Sequence, residues 1–157
     1  MPQFSLLTLN CFGVPTFATR PRLLALAREL NQSPYDVVCL QEVQTHAYAR
    51  LLTAACTAYG ASASEPFLYA PKGGLLTLAL APIARQEFIL YRERSVVSPP
   101  ALMDWALHKG VLLTELAVGG WMVVVLNTHL NANYLGRWGK GGRYAEIERR
   151  QLLQLAE

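Results

Sequence analysis

The sequence predicts an α/β domain, with a mixed but mainly antiparallel sheet flanked by helices, on three observations. Its elements run β-α-β-α, then a series of strands, then a final helix. Asp36 to Gln41 is a short, apolar, β-rich run, the mark of a central strand covered on both sides. Gly110 to Ala117 and Trp121 to Thr128 are β-rich runs joined by Gly119-Gly120, which reads as a hairpin. The order implies one mixed sheet with helices against one face. The 157 residues are 52% hydrophobic and 16% charged, enough for one domain with a real core. Disorder is excluded, since it requires few hydrophobes and much charge. The composition lies at the apolar end for a soluble domain. Two explanations are open: burial of surface by something further, or contact with lipid.

The elements follow in order. Phe4 to Asn10 reads as a strand with two buried faces, broken after Asn10 by Gly13 and Pro15. Thr19 is the expected N-cap of a helix with Pro21 in its first turn and Leu23, Leu26, Ala27 and Leu30 on one face. Asn31 to Pro34 ends it, and the second strand follows. Thr45 is placed to cap a second helix carrying Tyr48, Leu51, Leu52 and Ala55. Residues 58 to 66 read as loop. Phe67 to Ala70, Leu75 to Ala81 and Gln86 to Tyr91 read as an antiparallel meander, separated by Lys72-Gly73-Gly74 and by Pro82. Residues 95 to 108 read as loop, as does Gly136 to Gly142. A helix from about Tyr144 stops at Leu155-Ala156-Glu157 without a capping glycine, so the sequence is expected to end inside a domain.

The net charge of +3 does not by itself indicate nucleic acid. Arg137, Lys140, Arg143, Arg149 and Arg150 form a cluster that reads equally as a phosphate-meeting surface or as a solvated helix face. Cys11, Cys39 and Cys56 have no CxxC spacing, so neither disulfides nor a zinc site are expected. Cys11 and Cys39 lie in apolar runs and are expected to be buried, reduced thiols. The start reads as a strand rather than a signal peptide, and no apolar run approaches the length of a membrane span. The expected location is cytoplasmic, with peripheral contact to membranes.

Polar residues stand at three strand ends: Asn10, Gln41-Glu42 and Asn127-Thr128-His129. In layered α/β folds such ends converge on one rim, where ligands bind. Glu42 is the best metal candidate, because magnesium needs one or two protein carboxylates and fills the rest with water and phosphate. On position alone the helix N-terminal carboxylate, favoured by the dipole, is the commoner reading, and it is the rest of the pattern that turns Glu42 into a metal candidate. His129 has the chemistry to donate to a phosphoryl oxygen, and Asn127 and Asn131 flank it. Asn10 is either a support for metal and phosphate or a turn-starting Asn. Asp104 and Lys109 read as an ion pair near the site or a surface pair of little energetic value.

Three segments together resemble the endonuclease/exonuclease/phosphatase superfamily, whose fold is deoxyribonuclease-I-like. They are Leu9-Asn10-Cys11-Phe12-Gly13-Val14-Pro15, Tyr35-Asp36-Val37-Val38-Cys39-Leu40-Gln41-Glu42-Val43 and Asn127-Thr128-His129-Leu130. Within it the resemblance is strongest to neutral sphingomyelinases. Asn-Cys-Phe-Gly-Val-Pro is similar to their Asn-Cys-Trp-Gly-Ile-Pro. Thr128 to Tyr134 is similar to their Thr-His-Leu-x-Ala-x-Tyr, and Asp104-Trp105 with Lys109-Gly110 resembles their Asp-Lys switch.

The resemblance implies a four-layer α+β sandwich of which residues 1–157 form the N-terminal half, truncated at the C-terminal side. It implies a Mg2+-dependent phosphodiesterase, with Mn2+ as a substitute, acting on a sphingomyelin-like phospholipid at a membrane surface. A nuclease of the same superfamily is the alternative, and a non-catalytic half-domain that binds lipid or a partner is another. Glu42 would hold the metal. Asn10 and His129 would be catalytic, with Asn10, Asn127, His129 and Asn131 facing the phosphate and Asp104 with Lys109 as the regulatory pair. The family's Gly-Asp-x-Asn and Ser-Asp-His motifs are absent from these residues. The chain alone is therefore expected to be a poor catalyst, with an exposed inner sheet face.

Overall fold

The structure is a computed structural model that describes residues 3–93, 106–134, 136 and 142–157. Strand β1 (Leu6–Asn10), helix α1 (Thr19–Gln32) and strand β2 (Val37–Gln41) form a β-α-β unit, with β1 and β2 parallel. Helix α2 (His46–Ala55) follows, then β3 (Ala61–Ala63), a 3-10 turn (Lys72–Gly74) and β4 (Leu76–Ala79). These strands make a mixed sheet in the order β1-β2-β4-β3. Strands β5 (Ile83–Leu90), β6 (Gly110–Val118) and β7 (Trp121–Thr128) make a separate antiparallel sheet, and α3 (Arg143–Leu155) comes last.

Two sheets replace the single one expected, and the meander is divided between them. Strand β4 pairs with β2 and β3, while β5 pairs with β6. Pro82 separates β4 from β5, and its ring and missing N–H interrupt the pairing there. Phe67 to Ala70 is irregular apart from a Pro66–Pro71 bridge, and the short β3 lies in the segment read as loop. Ala61 and Ser62 have little β propensity, so their pairing with β4 is set by tertiary contacts.

The second strand owes its continuous apolar run to burial on both faces. Val38 and Leu40, with Leu76 and Leu78, pack under Leu23, Ala27, Leu30 and Leu52 of the helices. Val37, Cys39 and Ala79 face the other way, onto Leu116 and Val125 of the second sheet. Each such fully buried Val or Leu contributes roughly 1.5–3 kcal/mol. The α1 face is the one predicted, although Ala18 rather than Thr19 occupies the N-cap. Thr45 caps α2 as predicted, its side chain accepting from the Tyr48 N–H. The hairpin turns at Gly119 and Gly120, both at positive φ, as a two-residue type I′ connection requires.

Strand β1 departs from the two buried faces predicted for it. It is an edge strand, with Leu6 45% exposed. The inner sheet face is covered over β2 and β4 but open at β1, where Leu6, Thr8 and residues 123–128 line a cleft of about 380 Å³. Helix α3 does not join the other helices. Its Gln151 and Gln154 bind the backbone of Leu90, the last residue of β5, and of Arg92 and Glu93 just after it. Arg149 and Arg150 pair with Glu146, and Arg150 also with Glu93, so that part of the basic cluster is an ion-paired helix surface. Arg137 and Lys140 lie outside the described residues. No described helix is long and apolar enough to cross a membrane.

Candidate active site

The parallel pairing of β1 and β2 brings Asn10 opposite Gln41, one residue before Glu42. Pairing continues past both strands: the Cys11 N–H donates to the Gln41 carbonyl and the Gly13 N–H to the Glu42 carbonyl. Glu42 has φ 56, a left-handed conformation rare for a residue with a side chain. That turn ends the strand's alternation and directs its carboxylate to Asn10, whose Nδ2 donates to Oε1 at 2.7 Å. The other end of the Asn10 amide is fixed too, since Oδ1 accepts the Phe12 N–H at 2.8 Å.

Two glycines make room for the turn. A Cβ on Gly13 would lie 2.1 Å from the Glu42 carbonyl oxygen, so any other residue would displace that backbone. Gly74, at φ 64, lies against the Glu42 Cα from the other side, and its carbonyl accepts the Val43 N–H at 2.9 Å. Sequence reasoning read these glycines only as breaks; their close approach to Glu42 comes from separate segments meeting in space.

His129 follows the end of β7 and reaches the same place. Its Nε2 is 4.0 Å from Glu42 Oε1 and its Nδ1 is 3.0 Å from Lys109 Nζ. An ammonium only donates, so the Lys109 contact makes Nδ1 the acceptor and assigns the ring proton to Nε2, on the side of Glu42. Lys109 is 5% exposed. Its bond to His129 has no sequence signal beyond the Asp104–Lys109 motif, and Asp104 lies outside the described residues.

Asn127 and Asn131 are placed differently. Asn127, 1% exposed, accepts from Gln41 Nε2 at 2.9 Å and shares its own amide hydrogens among the Leu40 and Leu76 carbonyls and Thr77 Oγ1. Its side chain ties the two sheets together immediately beneath the site. Asn131, also 1% exposed, donates its backbone N–H to Gln151 Oε1 of α3 and its Nδ2 to the Ala132 carbonyl, while its Oδ1 is buried without a hydrogen-bond partner among the described residues.

Asn10, Glu42, His129 and Lys109 thus form one connected polar cluster at the C-terminal ends of β1, β2 and β7. Within it Glu42 is the one side chain with oxygen positions left for a hard divalent ion, since Asn10 Oδ1 accepts the Phe12 N–H. Among the described residues no group of three His, Cys, Asp or Glu side chains gathers, and Glu42 is the carboxylate at the rim. Magnesium accepts one carboxylate completed by water and phosphate, whereas structural zinc needs a closed cage. Asn10 uses one acceptor position of a carboxylate that has about four.

A family model, Endonuclease/Exonuclease/phosphatase family, matches residues 7–156. The chain is 34% identical over 134 residues to a Drosophila melanogaster protein described as "Putative neutral sphingomyelinase", covering 84% of this chain and 30% of that protein. The crystal structure of sphingomyelinase C from Streptomyces griseocarneus matches with TM-score 0.70 and 26% identity, over 99% of this chain and 57% of that one. Beta toxin from Staphylococcus aureus, solved as a mutant with bound magnesium ions, matches with TM-score 0.75 and 17% identity, over 96% and 56%. The chain spans about a third of the curated relative and somewhat over half of these solved chains. It belongs to the endonuclease/exonuclease/phosphatase family and has a deoxyribonuclease-I-like fold.

Proposed function

Taking membership of that family as the premise, we propose that the full protein is a magnesium-dependent phosphodiesterase that hydrolyses the head-group ester of a sphingomyelin-like phospholipid. The observation that carries the reading is the convergence of Asn10 and His129 on one carboxylate, Glu42: Asn10 Nδ2 donates to it at 2.7 Å, and His129 Nε2 stands 4.0 Å away. Glu42 is the residue that would hold the ion, with Mn2+ as a substitute, and Asn10 fixes its carboxylate. When bound, the ion would offset charge on the phosphoryl oxygens. The lipid substrate is supported by the sphingomyelinase relative.

His129 acts on the substrate. Lys109 holds its Nδ1 as an acceptor, and Nε2–H points to where a phosphoryl oxygen would rest against Glu42. Donation to that oxygen offsets negative charge that grows as water adds to phosphorus and the alcohol departs. Asn127 supports this site from below by fixing Gln41. Asn131 remains a proposed phosphate-site residue, its backbone held by Gln151 of α3. Asp104 with Lys109 remains the proposed regulatory pair; loss of Lys109 from His129 would release the imidazole.

The water-activating Ser-Asp-His motif is not among these 157 residues. The 157-residue polypeptide is therefore proposed to be inactive alone. The test is hydrolysis of sphingomyelin by the full-length protein in magnesium, set against plain and abasic DNA. Turnover of sphingomyelin that disappears in Glu42→Ala supports the reading. Preferential cleavage of DNA would replace it with the nuclease alternative.

A further inference from the structure

The loop between β1 and α1, residues 11–18, leaves the site directly and has a composition the catalytic reading does not use. Phe17 is 98% exposed and Phe12 60%, with Val14 at 37%. Pro15, Thr16 and Ala18 between and beside them are exposed as well. The first 28 residues carry Arg20, Arg22 and Arg28 and no acidic residue; the first is Glu29. Exposed aromatics are thus set beside Arg20 and Arg22, with Glu29 the nearest acidic residue along the chain, two turns further on in α1.

The loop is held in shape. The Gly13 N–H donates to the Glu42 carbonyl at 3.0 Å and the Thr19 N–H to the Thr16 carbonyl at 3.2 Å. Thr19 Oγ1 donates to the Val14 carbonyl at 2.5 Å. The Arg22 guanidinium donates to the Cys11 and Phe12 carbonyls and lies over the Phe12 ring, 5.6 Å from its centre. Phe17 is therefore presented from a fastened loop, so little ordering entropy is added when it is buried elsewhere.

We propose that this loop docks the protein on a lipid bilayer, with Phe17 seated among the head groups and Arg20 against lipid phosphate. A bilayer fits better than a protein pocket for two reasons. An aromatic tip flanked by cations is the amphiphile that enters the head-group region, and it needs no complementary cavity. Arg20, the exposed cation three residues from Phe17, also matches the negative surface of anionic leaflets. Position agrees: Phe12 is two residues from Asn10 and bonded to it, so docking here sets the Asn10–Glu42 rim at the depth of the lipid phosphates. The proposal deepens the phosphodiesterase reading and rests on it only for the substrate.

The test uses the full-length protein, Phe17→Ser and Arg20→Ser, and flotation with vesicles of phosphatidylcholine, sphingomyelin and phosphatidylserine. Phe17→Ser weakens vesicle binding by on the order of tenfold, the value of one buried aromatic ring. Arg20→Ser weakens binding a few-fold, and only to vesicles that contain phosphatidylserine at low salt. Hydrolysis of vesicle sphingomyelin falls in parallel, hydrolysis of soluble bis-p-nitrophenyl phosphate does not, and the melting temperature without vesicles is unchanged. Unaltered vesicle binding in both variants overturns the proposal. So does a lowered melting temperature in Phe17→Ser, which would mean the ring is packed against protein, or loss of self-association with vesicle binding intact. If the wild type cleaves neither substrate but still needs Phe17 to bind vesicles, the docking surface stands and the phosphodiesterase reading falls.

Discussion

Lys109 Nζ lies 3.0 Å from His129 Nδ1, and the opposite nitrogen of that ring lies 4.0 Å from Glu42 Oε1. With Lys109 as donor to Nδ1, the ring proton is assigned to Nε2, the nitrogen on the Glu42 side. Lys109→Met in the full-length protein is expected to lower kcat on the order of 10²-fold while changing KM little, since it acts through His129 rather than on bound substrate. An equal loss in KM alone would refute this arrangement.

Glu42 and Asn10 separate by the quantity they control. Glu42→Ala should abolish magnesium-dependent turnover. Asn10→Ala leaves the carboxylate in place but unoriented, and should raise the magnesium concentration for half-maximal activity roughly 10–100-fold. A magnesium titration of each variant checks both, and an unchanged requirement in Asn10→Ala would remove Asn10 from the site.

Asn127 should register in stability. Its amide makes four hydrogen bonds between the two sheets, all buried. Asn127→Ala removes the donor that the Leu40 and Leu76 carbonyls and Thr77 Oγ1 share, while Gln41 keeps Thr8 and the Cys39 carbonyl, and is expected to cost about 3 kcal/mol in urea unfolding. A variant of native stability with a raised KM would instead return Asn127 to direct phosphate binding.

Gly13→Ala tests the packing behind Glu42. Its Cβ would meet a backbone oxygen at 2.1 Å, and backbone cannot rotate away as a side chain can. A destabilisation of about 3 kcal/mol is expected. Gly120→Ala meets nothing within 4 Å, so its cost is confined to the left-handed backbone, roughly 1 kcal/mol. The two midpoints measured side by side decide the point.

The three thiols are free and buried. Burial pushes Cys11 up to about 12, against a partly offsetting Arg22 charge, and Cys39 and Cys56 up to about 11, from an ordinary 9.0. An acid raised in the folded state adds stability below its unfolded pKa, and that contribution is lost as pH rises through the folded value. Stability should therefore decline above about pH 9. At pH 8 iodoacetamide should leave all three unmodified in the folded protein, as peptide mapping can show; rapid labelling of Cys11 would mean the β1 end opens.

The sequence by itself determined the elements whose signals are local. The periodic face of α1, the Thr45 cap, the Gly119-Gly120 hairpin and the apolar β2 all follow from propensity, capping and turn chemistry along the chain. It also marked Asn10, Glu42 and His129, because polar residues at strand ends stand out against apolar runs and carry the family motifs. Tertiary structure decided what depends on neighbours distant in the chain. The division of strands into two sheets turns on which strand pairs with β4. The burial of Asn127 between those sheets depends on Leu40, Leu76 and Thr77, and the backing of Glu42 on Gly13 and Gly74. The contact of Lys109 with His129 joins the start of β6 to the end of β7. Periodicity reports which face of an element is buried; which element covers it, and which side chains then meet, is set by packing across the chain.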